Sequence, residues 1–153
     1  MVSRRTSGHS SPVTLQLVGP ASWTEVPALL LYDTADPYAV RIAFGDTADD
    51  DAQEAEGAIT WLLSRELLQA GLERPAGDGD VRLWPTRAAA DVLYLHLRAP
   101  SGEALFEVSR ASVAAFLRHT EALVPPGEEG SRLGLDDELQ ALLSNGGADP
   151  TGR

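Results

Sequence analysis

"LLLYDTADPYAVRIAFG", residues 29–45, decides the fold class, because it holds parts of two strands and the corner between them. After the corner, Tyr38, Val40, Ile42 and Phe44 alternate with Ala39, Arg41 and Ala43. A period of two sends the large apolar set to one face of a strand and the small or charged set to the other. Before the corner, "ALLLY" (28–32) is an apolar run of strand length. Asp33 and Asp36 flank the connection, and Pro37 follows. Two carboxylates divide acid and base roles when their environments differ. Here the short gap and the Asp-Pro step are turn chemistry, in which the aspartate side chain bonds its own backbone. We read the pair as the corner of an antiparallel hairpin, with Tyr38 opening the buried face.

The same logic extends outward. "VTLQLV" (13–18) alternates as a half-buried strand, while residues 1–12 are polar and aperiodic and are expected to form a disordered tail. "GDTADDDAQEAEG" (45–57) is acidic and apolar-poor, the composition of a solvated loop. "AITWLLSRELLQAGL" divides at Ser64, a good N-cap, into a strand at 58–63 and a helix at 65–70, and Gly71 suits a left-handed closing position. A turn cluster at 73–80 precedes strands at 80–84, 91–97 and 103–108, the last two joined by "APSG" (99–102). Ser109 then caps a helix whose stripe is Val113, Phe116, Leu117 and Thr120, and Pro125-Pro126 ends it. A last short helix is expected in "LDDELQALLSNGG" (135–147), with aspartates at its positive N-terminus and a stripe of Leu139, Leu142 and Leu143.

Strands in blocks with hairpin-length gaps argue for α+β rather than a parallel doubly wound sheet. The expected architecture is an antiparallel, barrel-like core of about seven strands with two to three helices, in the order ββββα-βββα-α. At 153 residues this is one domain, over 13–144, with a flexible tail at 145–153.

Composition narrows the chemistry. The chain has no cysteine, so thiolate metal sites, disulfides and thiol nucleophiles are excluded. All 12 basic residues are arginine, which removes Schiff-base and phosphate-loop lysines. Net charge is -11, of which -8 falls in residues 46–80. Such a surface repels phosphate backbones and makes a protein partner more natural than nucleic acid. The run Asp46, Asp49, Asp50, Asp51, Glu54, Glu56 lacks the glycine and the closing glutamate of a calcium loop. "GDGDVR" (77–82) precedes a strand instead of opening a helix, so it is not a dinucleotide fingerprint. His9, His96 and His119 stand at no metal-ligand spacing. Trp61, Trp84, Tyr94 and Phe106 lie on expected strands, where aromatics either stack bases or fill a core; thin arginine clustering favours the core. No catalytic, cofactor or metal site is expected. The apolar sheet faces are assigned to a core and an oligomer seam, which leaves Asp49, Asp50 and Asp51 of the acidic loop and Asp136, Asp137 and Glu138 of the last helix as candidate partner contacts.

Four phrases in unbroken order, "LLLYDTADPYAVRIAF", "LLSRELLQAGLERPAGDGDVRLWP", "SGEALFEVSRASVAAFLRHT" and "VPPGEEGSRLGLDDELQALL", resemble the SsgA-like proteins of actinobacteria, regulators of sporulation-linked cell division. The resemblance spans residues 13–143. It implies a cytoplasmic, non-enzymatic protein, recruited to septum sites, that places septation and cell-wall machinery. Implied partners are the tubulin-like division GTPase FtsZ and paralogous SsgA-like proteins. It also implies a fold similar to whirly-type single-stranded nucleic-acid-binding proteins, and a homo-oligomer such as a trimer. Single-stranded nucleic-acid binding is the alternative this fold raises. No membrane insertion is expected, since no apolar run approaches the roughly 18 residues a spanning helix needs.

Overall fold

The computed structural model describes residues 8–45, 59–88, 90–130 and 142. Its elements are β1 (Gly8–Val18), β2 (Trp23–Asp33), β3 (Ala39–Phe44), β4 (Ile59–Ser64), α1 (Arg65–Gly71), β5 (Ala76–Asp78), β6 (Val81–Pro85), β7 (Val92–Ala99), β8 (Gly102–Ser109) and α2 (Arg110–Leu123). The eight strands form one antiparallel sheet in the order β4-β3-β2-β1-β8-β7-β6-β5, curled into a half-barrel. Each half is therefore a four-stranded meander followed by a helix. The halves meet where β1 pairs with β8 through only Gln16↔Glu107 and Leu17↔Phe106.

Alternation decides which face curls inward. Val13 and Leu15, Ala28, Leu30 and Tyr32, Val40, Ile42 and Phe44, Leu93, Leu95 and Leu97, and Phe106 and Val108 are buried together on the concave side. Their neighbours in sequence face out. α2 lays Val113, Phe116 and Leu117 into this core, and α1 adds Leu67 and Leu68. Ser64 Oγ accepts from Leu67 N at 2.9 Å and Ser109 Oγ from Ser112 N at 3.1 Å, so both expected N-caps form. The Asp33–Asp36 corner is a turn as expected: Ala35 N donates to Asp33 Oδ1 at 2.9 Å and Asp36 N to Asp33 O at 2.9 Å.

Several expectations are corrected. β1 starts at Gly8, not Val13, so residues 8–12, expected in a disordered tail, pair with Leu29–Asp33 of β2. β2 starts at Trp23 rather than Ala28. Pro12 and Pro27 hid both starts, yet Pro12 lies beyond the reach of β8 and Pro27 one residue past the end of the β3 ladder, where its carbonyl still accepts from Gly45 N at 3.2 Å, places where a sheet admits proline. β5 lies within the expected turn cluster and raises the strand count to eight. Tyr38 does not open the buried face: a second turn, Ala39 N to Asp36 O at 3.2 Å, holds it outside the strand, 49% exposed. Gly71 is not left-handed; it is the last residue of α1. A Cβ there would stand 2.7 Å from Leu83 Cβ, so glycine serves a close approach of helix to sheet. The expected last helix and both ends of the chain lie outside the described residues, apart from Leu142, which is helical and exposed.

Candidate functional site

The two ends of the half-barrel differ. At the end where β1 finishes and β4 begins, no helix among the described residues covers the concave face. It opens as a cleft of about 420 Å³ lined mainly by Leu17, Phe44, Ile59, Trp61, Leu97 and Phe106, with Glu103 at its rim. Phe44 and Phe106 stack at 5.3 Å across its floor. A cleft of this size and polarity suits an apolar group such as partner side chains. Its one ionisable lining residue among those described, Glu103, pairs with His96 Nε2 at 2.8 Å at the rim.

The opposite end is closed around Arg65, which is wholly buried at the start of α1. Its Nη1 donates to Thr120 O at 3.1 Å and to Thr120 Oγ1 at 3.3 Å, and its Nη2 to Glu129 Oε2 at 2.6 Å. The guanidinium carbon lies 5.2 Å from the Tyr32 ring centroid, and Nε has no partner among the described residues. Tyr32 Oη donates to Pro37 O at 2.9 Å, and Arg65 N donates to Tyr38 O at 2.7 Å. One arginine thus fixes the β2–β3 corner, both helices and the segment after Pro126. Burial pushes the Glu129 carboxyl upward. The hydrogen bond from Arg65, backbone N–H groups and the guanidinium charge outweigh it and leave the group below its ordinary value. Sequence reasoning missed Arg65 because an arginine directly after an N-cap serine reads as a solvated first-turn residue; the apolar pattern around it carries no sign of burial.

The histidines are not scattered, as the spacing suggested. His9 on β1 and His119 on α2 stack at 4.3 Å, with His9 also 5.5 Å from Phe116. Burial, then the charge of His119, lowers the His9 imidazole below its ordinary value. His96 Nε2 lies 2.8 Å from Glu103 Oε1 across the β7–β8 hairpin. No group of three or more metal-ligating side chains occurs among the described residues. Phe106 is buried, Trp61 packs against the core, and Trp84 and Tyr94, both half-buried, stack on each other at 5.5 Å as a cross-strand pair. Asp33 and Asp36 stay in their turn. The candidate partner contacts Asp49, Asp50, Asp51, Asp136, Asp137 and Glu138 lie outside the described residues. No helix among the described residues is long and apolar enough to cross a membrane.

Known proteins share this arrangement. The family model described as Streptomyces sporulation and cell division protein, SsgA, matches residues 26–129. The chain is 43% identical over 129 residues to the sporulation-specific cell division protein SsgB of Streptomyces coelicolor, covering 84% of this chain and 89% of that one. It is 44% identical over 134 residues to SsgB of Salinispora tropica, covering 86% and 90%. In solved structures, an SsgA-like sporulation-specific cell division protein from Thermobifida fusca superposes with a TM-score of 0.76 at 33% identity, over 91% of this chain and 98% of that one. A structure of SsgB, from work on mutations that correlate to longitudinal cell division during sporulation of Streptomyces coelicolor, gives 0.73 at 41% identity, over 86% and 99%. Fold and sequence agree along nearly the whole of these relatives, and the chain belongs to the SsgA family of sporulation and cell division proteins.

Proposed function

We propose that this protein is a non-enzymatic regulator of sporulation-specific division that acts by protein–protein interaction to localise septum and cell-wall machinery, in the manner of a recruiter of FtsZ. The observation that carries this reading is the apolar cleft at one end of the half-barrel, which no helix among the described residues covers and which exposes Ile59 and adjoins Trp61. An apolar surface set in a chain of net charge -11 suits a partner that supplies both apolar anchors and positive charge. Membership of a division-regulator family supports the biological setting. Paralogous family members are further partners, and a homo-oligomer such as a trimer fits the same mode of action. The protein works in the cytoplasm and is drawn to septum sites by what it binds.

The test is imaging of a fluorescently tagged copy in sporulating hyphae, joined to capture of purified FtsZ and paralogues. Ladders coincident with FtsZ, together with direct capture, are expected. Diffuse signal and clean failure to capture either class sink the reading. Single-stranded nucleic-acid binding is the competing outcome, and it would show as gel shifts that strengthen at low salt.

A further inference from the structure

The two edges of the sheet are built differently. β5 closes one side with three residues, Ala76–Asp78, that include a glycine and a carboxylate. Short, charged edges of this kind discourage further pairing. β4 closes the other side with six, Ile59–Ser64, carrying neither charge nor proline. Among the described residues only β3 pairs with it, so the backbone donors and acceptors along its outer edge have no strand partner there. Two of its side chains, Ile59 and Leu62, are each 59% exposed. They sit on opposite faces: Ile59 and Trp61 line the concave cleft, while Leu62 stands outside opposite Arg41.

We propose that the outer edge of β4 is a strand-addition site for an extended segment of a division partner, a claim that rests on the protein-interaction reading above. The edge specifies its occupant. Its backbone groups require an extended chain of about six residues, the length over which the ladder can run at ~3.3 Å per residue. Strand alternation then sends every second side chain of that segment into the cleft beside Ile59 and Trp61, which asks for apolar residues there, and the others over Thr60 and Leu62. The stretch 46–80, which contains β4, carries -8. That charge attracts a segment flanked by arginine or lysine and opposes a second copy of this chain, itself at -11.

The experiment uses the full chain and a fluorescein-labelled peptide of alternating valine and threonine flanked by arginine pairs. A matched peptide is N-methylated at alternate residues to delete ladder donors. Leu62→Lys places a charge on the exposed outer face of the edge strand, and Thr14→Lys adds the same charge on the exposed face of β1 as a control. The expected result is saturable binding by the wild-type chain, at least tenfold weaker for the N-methylated peptide. Binding should also be at least tenfold weaker for Leu62→Lys than for Thr14→Lys, with the two variants melting alike. Equal affinity for both peptides, equal affinity of both variants, or no binding by the wild type overturns the proposal. So does wild-type self-association that Leu62→Lys dissolves, since the occupant is then a second copy. FtsZ capture separates the two readings. If Leu62→Lys captures FtsZ as well as wild type, the edge assignment falls and the recruiter reading stands. If the peptide binds as expected but wild type captures no division protein, the recruiter reading falls and the edge stands.

Discussion

At the scale of single residues, the Arg65–Glu129 pair and the His9–His119 stack set two separate responses to acid. Glu129 sits below its ordinary value of 4.5 in the folded chain, so between that folded value and 4.5 the unfolded chain binds more protons. The stability from the pair is full above about 4.5 and drains as pH falls through the folded value. His9 is also lowered, from 6.5, but its charged form is the protonated one. Its contribution is full above 6.5 and declines as pH drops below it, when protonation costs more in the folded chain than in the unfolded one. Urea titrations across pH 7 to 3 should show two declines, the upper one absent in His9→Gln and the lower one absent in Glu129→Gln. A single decline untouched by either change refutes the assignment. At neutral pH, Glu129→Gln strands the wholly buried guanidinium against a neutral partner, and removing one member of such a pair costs about 3 kcal/mol. Arg65→Met combined with Glu129→Gln removes the cation as well, and should lose less than Glu129→Gln alone in the same urea series.

At the scale of elements, the strands and helices legible in the sequence were those whose period is uninterrupted. The stripe of α2 and the alternation of β3 and β7 survive translation into structure because burial of one face leaves no other register. The failures have local causes. Proline and glycine mark turns statistically, yet Pro12 and Pro27 lie in strands because each stands at or past the end of a neighbouring ladder, where the missing N–H costs little. Gly71 suggested a helix end for its conformational freedom and is required for its missing side chain. That difference is testable. Alanine gains about 1 kcal/mol over glycine in a helix interior. Gly71→Ala is nevertheless expected to destabilise by about 1–2 kcal/mol, because a Cβ at 2.7 Å from Leu83 Cβ must push α1 off β6, and overpacking of this kind outweighs propensity. In a Leu83→Gly background, which lacks the Cβ that is met, Gly71→Ala should cost less than it does in wild type, whereas a stabilised Gly71→Ala in wild type would show the helix is free to move.

At the scale of the molecule, the repetition of strands followed by a helix was legible in the expected order ββββα-βββα-α but for one strand: β5, three residues within a turn-rich stretch, is too short to show a period. The sheet seam between the halves is two residue pairs wide, and the helices reinforce it. Arg110 Nε donates to Leu72 O at 2.9 Å, and Gln69 Nε2 to Glu121 Oε2 at 3.0 Å, beside the Arg65–Thr120 bonds. The cleft was not legible in the sequence: the carboxylates picked out as partner contacts lie outside the described residues, while the cleft between β4 and the β7–β8 hairpin comes from the curl of the sheet and joins residues far apart in the chain.

On the proposed reading, the charge of residues 46–80 governs how a partner arrives. With -8 concentrated in residues 46–80, attraction for a basic partner acts beyond contact distance and is screened over about 10 Å at 0.1 M salt. Asp49→Asn, Asp50→Asn and Asp51→Asn together remove three of these charges. The combined variant should slow association with FtsZ several-fold at low salt, with little change in dissociation, because surface charge sets on-rates more than contact strength. At about 300 mM salt, where the screening length shrinks, the difference from wild type should narrow. Its melting should match wild type within about 0.5 kcal/mol, the usual range for substitutions in a solvated loop such as the acidic composition of 45–57 leads one to expect. Surface plasmon resonance at two salt concentrations, paired with thermal melts, decides the matter. Equal loss of stability and binding, or a loss indifferent to salt, would remove these aspartates from partner recognition and leave the apolar surface as its sole determinant.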